Sequence, residues 1–192
     1  MTDPWRPLVA VVVFPGSNDE RDALWALAAL DAEAVPVWHE ERQLPDLDAV
    51  VLPGGFSYGD YLRCGAIARF SPATAAVREH AEAGGLVLGI CNGFQILCEA
   101  GLLPGVLLQN ESLRFVCRDV PLTVERDDLL FTSRCSQGQR LVIPVKHGDA
   151  AGTRRPTSWP SSRPTGRSCS ATPSRATAPS TTSRPSATRA AT

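Results

Sequence analysis

One cysteine of this sequence has the surroundings of a nucleophile. Cys91 lies in the segment Gly89-Ile-Cys-Asn-Gly-Phe-Gln95, between an apolar run and the start of a helical pattern. A strand, a sharp turn and a helix in this order form a nucleophile elbow, where glycines prevent collisions around the strained turn. The N–H groups and positive potential of a helix start lower the pKa of a thiol. The pattern predicts a thiolate nucleophile, with a buried structural cysteine as the alternative.

A glycine pair follows another apolar run and could complete the chemistry. Gly54 and Gly55 stand in the segment Leu52-Pro-Gly-Gly-Phe-Ser-Tyr-Gly-Asp60. Their N–H groups are open to a developing oxyanion, and one such donor contributes on the order of 10²–10³ in rate. The segment has neither GxxxxGK[ST] nor GxGxxG, so it is not a phosphate loop. It predicts an oxyanion hole, with an ordinary loop between strand and helix as the alternative.

Strands and helices alternate along the part of the chain that must position these segments. Continuous runs rich in β-branched residues indicate buried strands, and Ser-Pro, Gly-Gly and Ser-Asn pairs indicate helix ends. The alternation predicts a layered α/β fold with a mainly parallel sheet. The predicted strands are 8–14, 34–38, 49–52 and 86–90, the predicted helices are about 19–31, 71–83 and 94–100, and further, partly antiparallel strands are 114–118, 122–125 and 141–145.

The composition divides the chain near residue 149. Residues 151–192 contain seven arginines, no acidic residue and no Val, Ile, Leu, Met, Phe or Tyr. Such a segment cannot bury enough apolar area to offset the entropy of ordering it. We therefore predict a domain at 1–149 and a tail at 150–192, which is either disordered or the product of a shifted reading frame. The preceding 150 residues hold twelve basic and twenty acidic side chains, which excludes a general nucleic-acid binder.

The sequence also bears on compartment and metals. No run approaches the ~20 apolar residues of a membrane span, and no signal peptide is recognisable, so we predict a cytoplasmic protein without a membrane partner. The six cysteines form neither a CxxC pair nor a zinc spacing. They are expected to be free thiols, with no metal site.

Five motifs follow one another along the chain. They are Phe14-Pro-Gly-Ser-Asn18, Pro53-Gly-Gly-Phe-Ser-Tyr-Gly-Asp-Tyr-Leu-Arg-Cys-Gly-Ala-Ile-Ala-Arg69, Gly89-Ile-Cys-Asn-Gly-Phe-Gln-Ile-Leu97, Asn110-Glu-Ser-Leu-Arg-Phe115 and Pro144-Val-Lys-His-Gly148. Together, over residues 8 to about 149, they closely resemble the glutaminase subunits of phosphoribosylformylglycinamidine synthases. Members of that family are class I glutamine amidotransferases of purine biosynthesis, and the resemblance implies a flavodoxin-like sheet with helices on both faces.

The resemblance implies a role for each matched residue. Cys91 would attack the side-chain amide of glutamine and form a γ-glutamyl thioester, while the N–H groups of Gly54, Gly55 and Asn92 hold the oxyanion. Gln95 matches a position near the substrate, and His147 a His-Gly position near the pocket. The residues that line either the pocket or the partner surface are Asn110, Arg114 and Phe115.

The resemblance also implies partners. L-glutamine is the substrate, and the ammonia would pass to a separate synthetase subunit that converts formylglycinamide ribonucleotide to the amidine. ATP and Mg²⁺ would be used by that synthetase, with a small accessory subunit in the same complex. This chain itself would bind no cofactor.

One part of the family pattern is missing from this sequence. The family keeps its catalytic base and the orienting carboxylate in a Pro-His-Pro-Glu stretch, and none occurs here; the histidines are His39, His80 and His147. We expect His39 at a strand end and His80 on a solvated helix face. Without the family's last strands the sheet would have an unpaired edge and an uncovered face. We therefore predict little glutaminase activity and poor solubility.

Two other functions stay open. A non-catalytic partner of the synthetase would need no base. A DJ-1-like hydrolase or chaperone also places cysteine at an elbow, but it requires a carboxylate from the first strand's loop beside the thiol. In this chain Asp19 and Glu20 fall at a predicted helix start, which disfavours that reading.

Overall fold

A four-stranded parallel sheet forms the centre of the molecule. The computed structural model describes residues 5–63 and 65–153, with side chains as far as residue 149. The strands are β1 (Leu8–Val13), β2 (Glu33–Trp38), β3 (Ala49–Leu52) and β4 (Leu86–Gly89), in the order β2-β1-β3-β4. All neighbouring strands are parallel, with Leu8 opposite Glu33 and Leu52 opposite Gly89. The layered, mainly parallel sheet expected from the sequence is confirmed.

Helices cover both faces of this sheet. Helix α1 (Glu20–Ala29) packs Ala23, Leu24 and Leu27 against one face, and helices α2 (Pro72–Glu82) and α3 (Asn92–Glu99) lie on the other. Because side chains alternate along a strand, β1 sends Val9 and Val11 to the α1 side and alternate residues to the larger core. That core contains Ala10, Val12, Phe14, Val50, Leu52, Ala73, Val77, Ile96 and Leu97.

The helix ends follow the local sequence. Ser71 accepts a hydrogen bond from the Thr74 N–H at 3.2 Å, and Pro72 occupies the first turn of α2, as expected of a Ser-Pro helix start. Helix α1 differs from the expectation, because its N-cap is Asp19 rather than Ser17 or Asn18, and no side chain caps it. Helix α3 begins at Asn92, two residues before the expected start.

Two antiparallel ribbons follow the sheet. Strand β5 (Val106–Gln109) pairs with β8 (Asp149–Thr153), and β6 (Val116–Thr123) pairs with β7 (Arg140–His147). Short 3₁₀ segments lie at Ser57–Asp60, Ala68–Phe70 and Leu130–Thr132. The ribbon β6–β7 brings the end of β7 to the carboxyl edge of the parallel sheet, beside the elbow.

The ribbons differ in detail from the sequence expectation. In place of the separate strands expected at 114–118 and 122–125, the structure has the single strand β6, in which Pro121 lies opposite Val142. A two-stranded ribbon consists of edge strands, where proline is tolerated. Strands β5 and β8 were not expected. Strand β8 continues to Thr153, beyond the boundary predicted at residue 149, and the rest of the predicted tail lies outside the described residues.

In the described residues no helix has both the length and the hydropathy to cross a bilayer. The cysteines at 91, 98, 117 and 135 are free thiols, whereas Cys64 and Cys169 lie outside the described residues.

Candidate active site

The elbow has the strained backbone that a nucleophile turn requires. Cys91 stands between β4 and α3 with φ 50° and ψ −109°, a region that residues with a side chain rarely adopt. A Cβ on Gly93 would overlap the Leu52 carbonyl, and a Cβ on Gly89 would lie 2.8 Å from the Gly93 carbonyl. The two glycines therefore let α3 start directly against β3 and β4, as the sequence predicted.

The glycine pair lies beside the elbow. A Cβ on Gly54 would lie 3.3 Å from the Cys91 Cβ and would run into the carboxylate of Asp19. Gly55 has φ +128°, and a Cβ there would lie 2.5 Å from the Asn18 nitrogen, so only glycine fits. Neither glycine N–H donates a hydrogen bond to the described residues. The glycine pair is therefore adjacent to the cysteine, and the oxyanion hole expected there stays a prediction.

The electrostatics of Cys91 differ from the expectation. Desolvation by the surrounding groups is the largest effect and raises the pKa of the thiol above its ordinary value. The Asn92 backbone N–H and Lys146 lower the pKa, whereas the carboxylates of Asp19 and Asp60 raise it. The Cys91 Sγ donates a hydrogen bond to the Lys146 carbonyl at 3.5 Å. The helix-start N–H of Asn92 lowers the pKa of the thiol as expected, but desolvation and two nearby carboxylates outweigh it, so the net lowering expected from the sequence does not occur.

Two buried amides at the start of α3 tie the elbow to its neighbours. Asn92 accepts a hydrogen bond from the Ser57 N–H at 3.1 Å and donates to Asp60 at 3.3 Å and to Gln95 at 3.0 Å. Gln95 donates in turn to the Asp149 carbonyl at 3.0 Å. This chain of bonds fixes the glycine loop, α3 and the start of β8 relative to one another.

Asn110 holds the end of β7 against the site. Its buried side-chain amide donates to the carbonyls of Arg114 and His147, at 2.8 and 3.0 Å, and its oxygen contacts His147 Nδ1 at 3.1 Å. The Asn110 N–H donates to the Gly148 carbonyl at 2.8 Å. The pKa of His147 is lowered, first by burial and then by the charge of Arg118, so a neutral ring is favoured at neutral pH.

The cleft at the thiol is small. Its volume is about 60 Å³, below the roughly 300 Å³ of common ligand pockets, so a substrate has to part its walls. Of the predicted site residues it includes Gly55, Cys91, Gln95, Phe115 and His147. Its full lining is Asn18, Asp19, Gly55, Phe56, Asp60, Cys91, Gln95, Phe115, Lys146, His147 and Gly148.

The other four predicted residues do not line the cleft. Gly54 and Asn92 lie beside Cys91, Asn110 is buried and positions β7, and Arg114 is exposed. The motif at 110–115 therefore contributes Phe115 to the cleft and Asn110 to its support.

Three charged residues of the cleft were not predicted as site residues from the sequence. Asp19 was assigned to a helix, yet as the N-cap of α1 it sends its carboxylate toward the elbow. A carboxylate beside the thiol, which was not expected from the sequence, is therefore present and belongs to Asp19. Lys146 forms an ion pair with Asp19 at 3.2 Å, and Asp60 bonds to Asn92. One signal was available, because Lys146 is the only lysine of the chain.

The other two histidines lie outside the cleft. His39 directly follows β2, as expected, and its Nδ1 contacts the Tyr58 hydroxyl at 2.7 Å. The two rings line a separate cavity of about 500 Å³ whose described lining includes no cysteine, so the cysteine chemistry belongs to the smaller cleft. His80 is half-buried against Gly85 rather than on a solvated face, because the missing Cβ of this glycine leaves room for the ring.

Known proteins share this fold and these motifs. The chain is 61% identical over 140 residues to the phosphoribosylformylglycinamidine synthase subunit PurQ of Salinibacter ruber, covering 72% of this chain. It is 60% identical over 142 residues to the subunit of the same name from Synechococcus elongatus, covering 73% of this chain. The structure of PurLQS from Thermotoga maritima matches with a TM-score of 0.76 and 45% identity, over 79% of this chain and 71% of that chain.

The chain matches only part of the length of each relative. The chain covers 60% of the Salinibacter subunit and 64% of the Synechococcus subunit. The model of the CobB/CobQ-like glutamine amidotransferase domain matches residues 6–157, which is most of the chain. The elbow, the paired glycines and this match agree: the chain belongs to the family of CobB/CobQ-like glutamine amidotransferase domains.

Proposed function

We propose that this chain is the glutaminase subunit of a phosphoribosylformylglycinamidine synthase in the cytoplasm. The observation that carries the proposal is the position of Cys91 on a strained elbow, with its Cβ next to Gly54. Within the described residues, the N–H groups of Gly54 and Gly55 donate no hydrogen bond. The names of the PurQ relatives support the choice of substrate and complex.

The proposed reaction is hydrolysis of the glutamine side-chain amide. The Cys91 sulfur attacks the amide carbon, and the N–H groups of Asn92, Gly54 and Gly55 stabilise the negative oxygen of the tetrahedral intermediate. The carbon–nitrogen bond then breaks, and the nitrogen takes up the proton given up by the Cys91 thiol and leaves as ammonia. Water attacks the γ-glutamyl thioester and releases glutamate and the free thiol.

The proposed use of ammonia needs a partner. The synthetase subunit would convert formylglycinamide ribonucleotide to the amidine with ATP and Mg²⁺, together with a small accessory subunit, while this chain binds no cofactor. Exposed apolar side chains on the cleft residues and the loops nearby support a protein partner at this surface. They are Phe56, Tyr61, Leu62, Ile90, Leu113 and Phe115.

We further propose that a protein with this sequence hydrolyses glutamine slowly. The pKa of the Cys91 thiol is raised, and its proton faces the Lys146 carbonyl, which cannot act as a base. In the part of the chain that the structure describes, the only histidine lining the cleft is His147, and its Nδ1 is bonded to Asn110. The Pro-His-Pro-Glu stretch of the family does not occur in the sequence.

A two-step experiment tests the proposal. Cys91 is first treated with the chloroketone analogue of L-glutamine, and the protein is then tested for capture of the synthetase subunit. Labelling together with capture is the expected result. Capture without labelling favours a non-catalytic partner, a reading supported by the raised pKa of the thiol. Absence of both leaves the DJ-1-like reading, which the carboxylate of Asp19 beside the thiol favours.

A further inference from the structure

We propose that Asp19 and Lys146 bind the α-ammonium and α-carboxylate groups of L-glutamine, each exchanging its partner in the ion pair for the opposite charge of the substrate. The inference rests on the proposed glutaminase function and deepens it. Asp19 would accept hydrogen bonds from the α-ammonium group, and Lys146 would donate to the α-carboxylate.

The position of the pair fits this role. Asp19 and Lys146 both line the cleft that contains Cys91. The Asp19 Cγ and the Cys91 Cβ lie 3.4 and 3.3 Å from one point, the Cβ position that Gly54 leaves empty. In glutamine, three carbon–carbon bonds separate the amide carbon from the α-carbon. The Asp19 carboxylate is therefore within reach of the head group of a glutamine whose amide carbon meets the sulfur.

The pair itself is suited to exchange partners. Its Nζ–Oδ1 distance is 3.2 Å, and the lysine and aspartate side chains are 61% and 22% exposed. A solvent-exposed pair of this kind contributes little to stability, so it opens readily. A zwitterion offers each member an opposite charge, which replaces the bond that the two form in the empty cleft.

Without a bound ammonium group, the negative charge of Asp19 disfavours the thiolate that the proposed reaction requires. Its carboxylate raises the pKa of the Cys91 thiol. A substrate ammonium beside Asp19 would offset that effect when the thiol is needed. Lys146, the cation of the pair, is the only lysine in the sequence, and the other Lys or Arg positions are all arginine. A lysine carries a compact charge on a flexible stem and can turn from Asp19 to a carboxylate.

The test compares alkylation rates of Cys91 with matched reagents. The chloroketone analogue of L-glutamine and its α-methyl ester carry the same electrophile, so their rate ratio cancels any change in the thiolate fraction. We expect the wild-type chain to prefer the free carboxylate at least about tenfold, the range of a charged hydrogen bond. Lys146→Met should abolish this preference, and Lys146→Arg should keep part of it.

A second ratio tests the other half of the pair. The analogue with a hydroxyl in place of the α-amino group should react about tenfold more slowly in the wild type, and Asp19→Asn should remove this difference. Arg126→Met is the matched control, because it breaks the exposed Arg126–Asp128 pair at 2.6 Å, whose residues do not line the cleft. It should change neither ratio.

The outcomes separate this inference from the proposed function. If Cys91 reacts with the analogue faster than with iodoacetamide, but Lys146→Met and Asp19→Asn keep both preferences, the recognition role is overturned and the glutaminase proposal stands. If the wild type shows no preference for the analogue over iodoacetamide, the proposed function itself is contradicted, and this inference fails with it.

Discussion

The Cys91 thiol donates a hydrogen bond to the main-chain oxygen of Lys146, with an S–O distance of 3.5 Å. This bond joins the elbow, which belongs to the parallel sheet, to the last residues of the β6–β7 ribbon. A carbonyl oxygen stabilises S–H and not the thiolate, so this contact favours the protonated sulfur. The position of β7 therefore bears directly on the reactivity of the nucleophile.

The thiol should ionise only in alkaline solution. Desolvation and the carboxylates of Asp19 and Asp60 raise the pKa of Cys91 above its ordinary value of 9.0. Since only the thiolate reacts, the logarithm of the iodoacetamide alkylation rate should rise with pH through neutrality and level off above pH 9. Peptide mapping of alkylated protein at several pH values measures this rate. A plateau already reached near pH 7 would show an activated thiolate and contradict the pKa direction.

Replacing Gly93 by alanine should destabilise the fold. The added Cβ would overlap the Leu52 carbonyl at the contact of α3 with β3, and the backbone would have to shift. Overpacking of this kind costs about 1–3 kcal/mol in free energy of unfolding. Urea unfolding measures the change. Gly148→Ala is the matched control, because its Cβ would lie 3.8 Å from Phe115 Cδ2, an ordinary contact. Equal stability of the two variants would refute the close approach.

Replacing Asn110 by alanine should loosen the end of β7 and leave the parallel sheet intact. The change removes two hydrogen bonds to the carbonyls of Arg114 and His147 and the contact with His147 Nδ1. Unsatisfied buried partners cost about 1–3 kcal/mol. Hydrogen exchange should accelerate at residues 140–149, whereas the amides of β1 keep their protection. Uniform acceleration across both regions would indicate global unfolding instead of a local tie.

Stability should fall in strong alkali because of Cys98. Burial, reinforced by the charge of Glu99, raises the pKa of this thiol from 9.0 to about 11. The folded state therefore keeps the proton while the unfolded chain loses it, so the stabilisation is complete below pH 9 and is lost as pH rises to 11. The loss is at most about 2–3 kcal/mol.

The measurement for Cys98 is urea unfolding at pH 8, 9.5 and 11. The free energy of unfolding of Cys98→Ala should decline less over this range than that of the wild type. Tyr58, whose pKa is also raised by burial, is present in both proteins, so it does not affect the comparison. Parallel declines would show that Cys98 ionises equally in the folded and unfolded chains.

The parallel sheet was predictable from local pattern alone. Its strands are continuous apolar runs such as Leu8–Val13, and residues such as Ser71 determine their own helix ends through nearby bonds. The ribbons were less predictable, because β5 and β8 are short and each becomes a strand only through the other. Pairing between segments distant in sequence leaves little trace in either segment.

The candidate site also has a part that local sequence predicts and a part that depends on distant segments. The elbow and the glycine pair depend on steric limits that the sequence shows directly, so the closeness of Cys91 to Gly54 could be predicted. The pKa direction of Cys91 was missed because it depends first on desolvation by the folded surroundings and then on the carboxylates of Asp19 and Asp60, which lie in other segments. The Asp19–Lys146 pair joins positions 127 residues apart, and no local pattern predicts such a contact.

Selective labelling of Cys91 tests the central claim most directly. The chain has other free thiols, with Cys117 exposed and Cys135 partly exposed, which serve as internal references. The account predicts that the chloroketone analogue of L-glutamine, used at limiting concentration, modifies Cys91 first. Free L-glutamine should slow this modification, and D-glutamine should not. Equal modification of Cys91, Cys117 and Cys135, unaffected by L-glutamine, would contradict a glutamine site at the elbow.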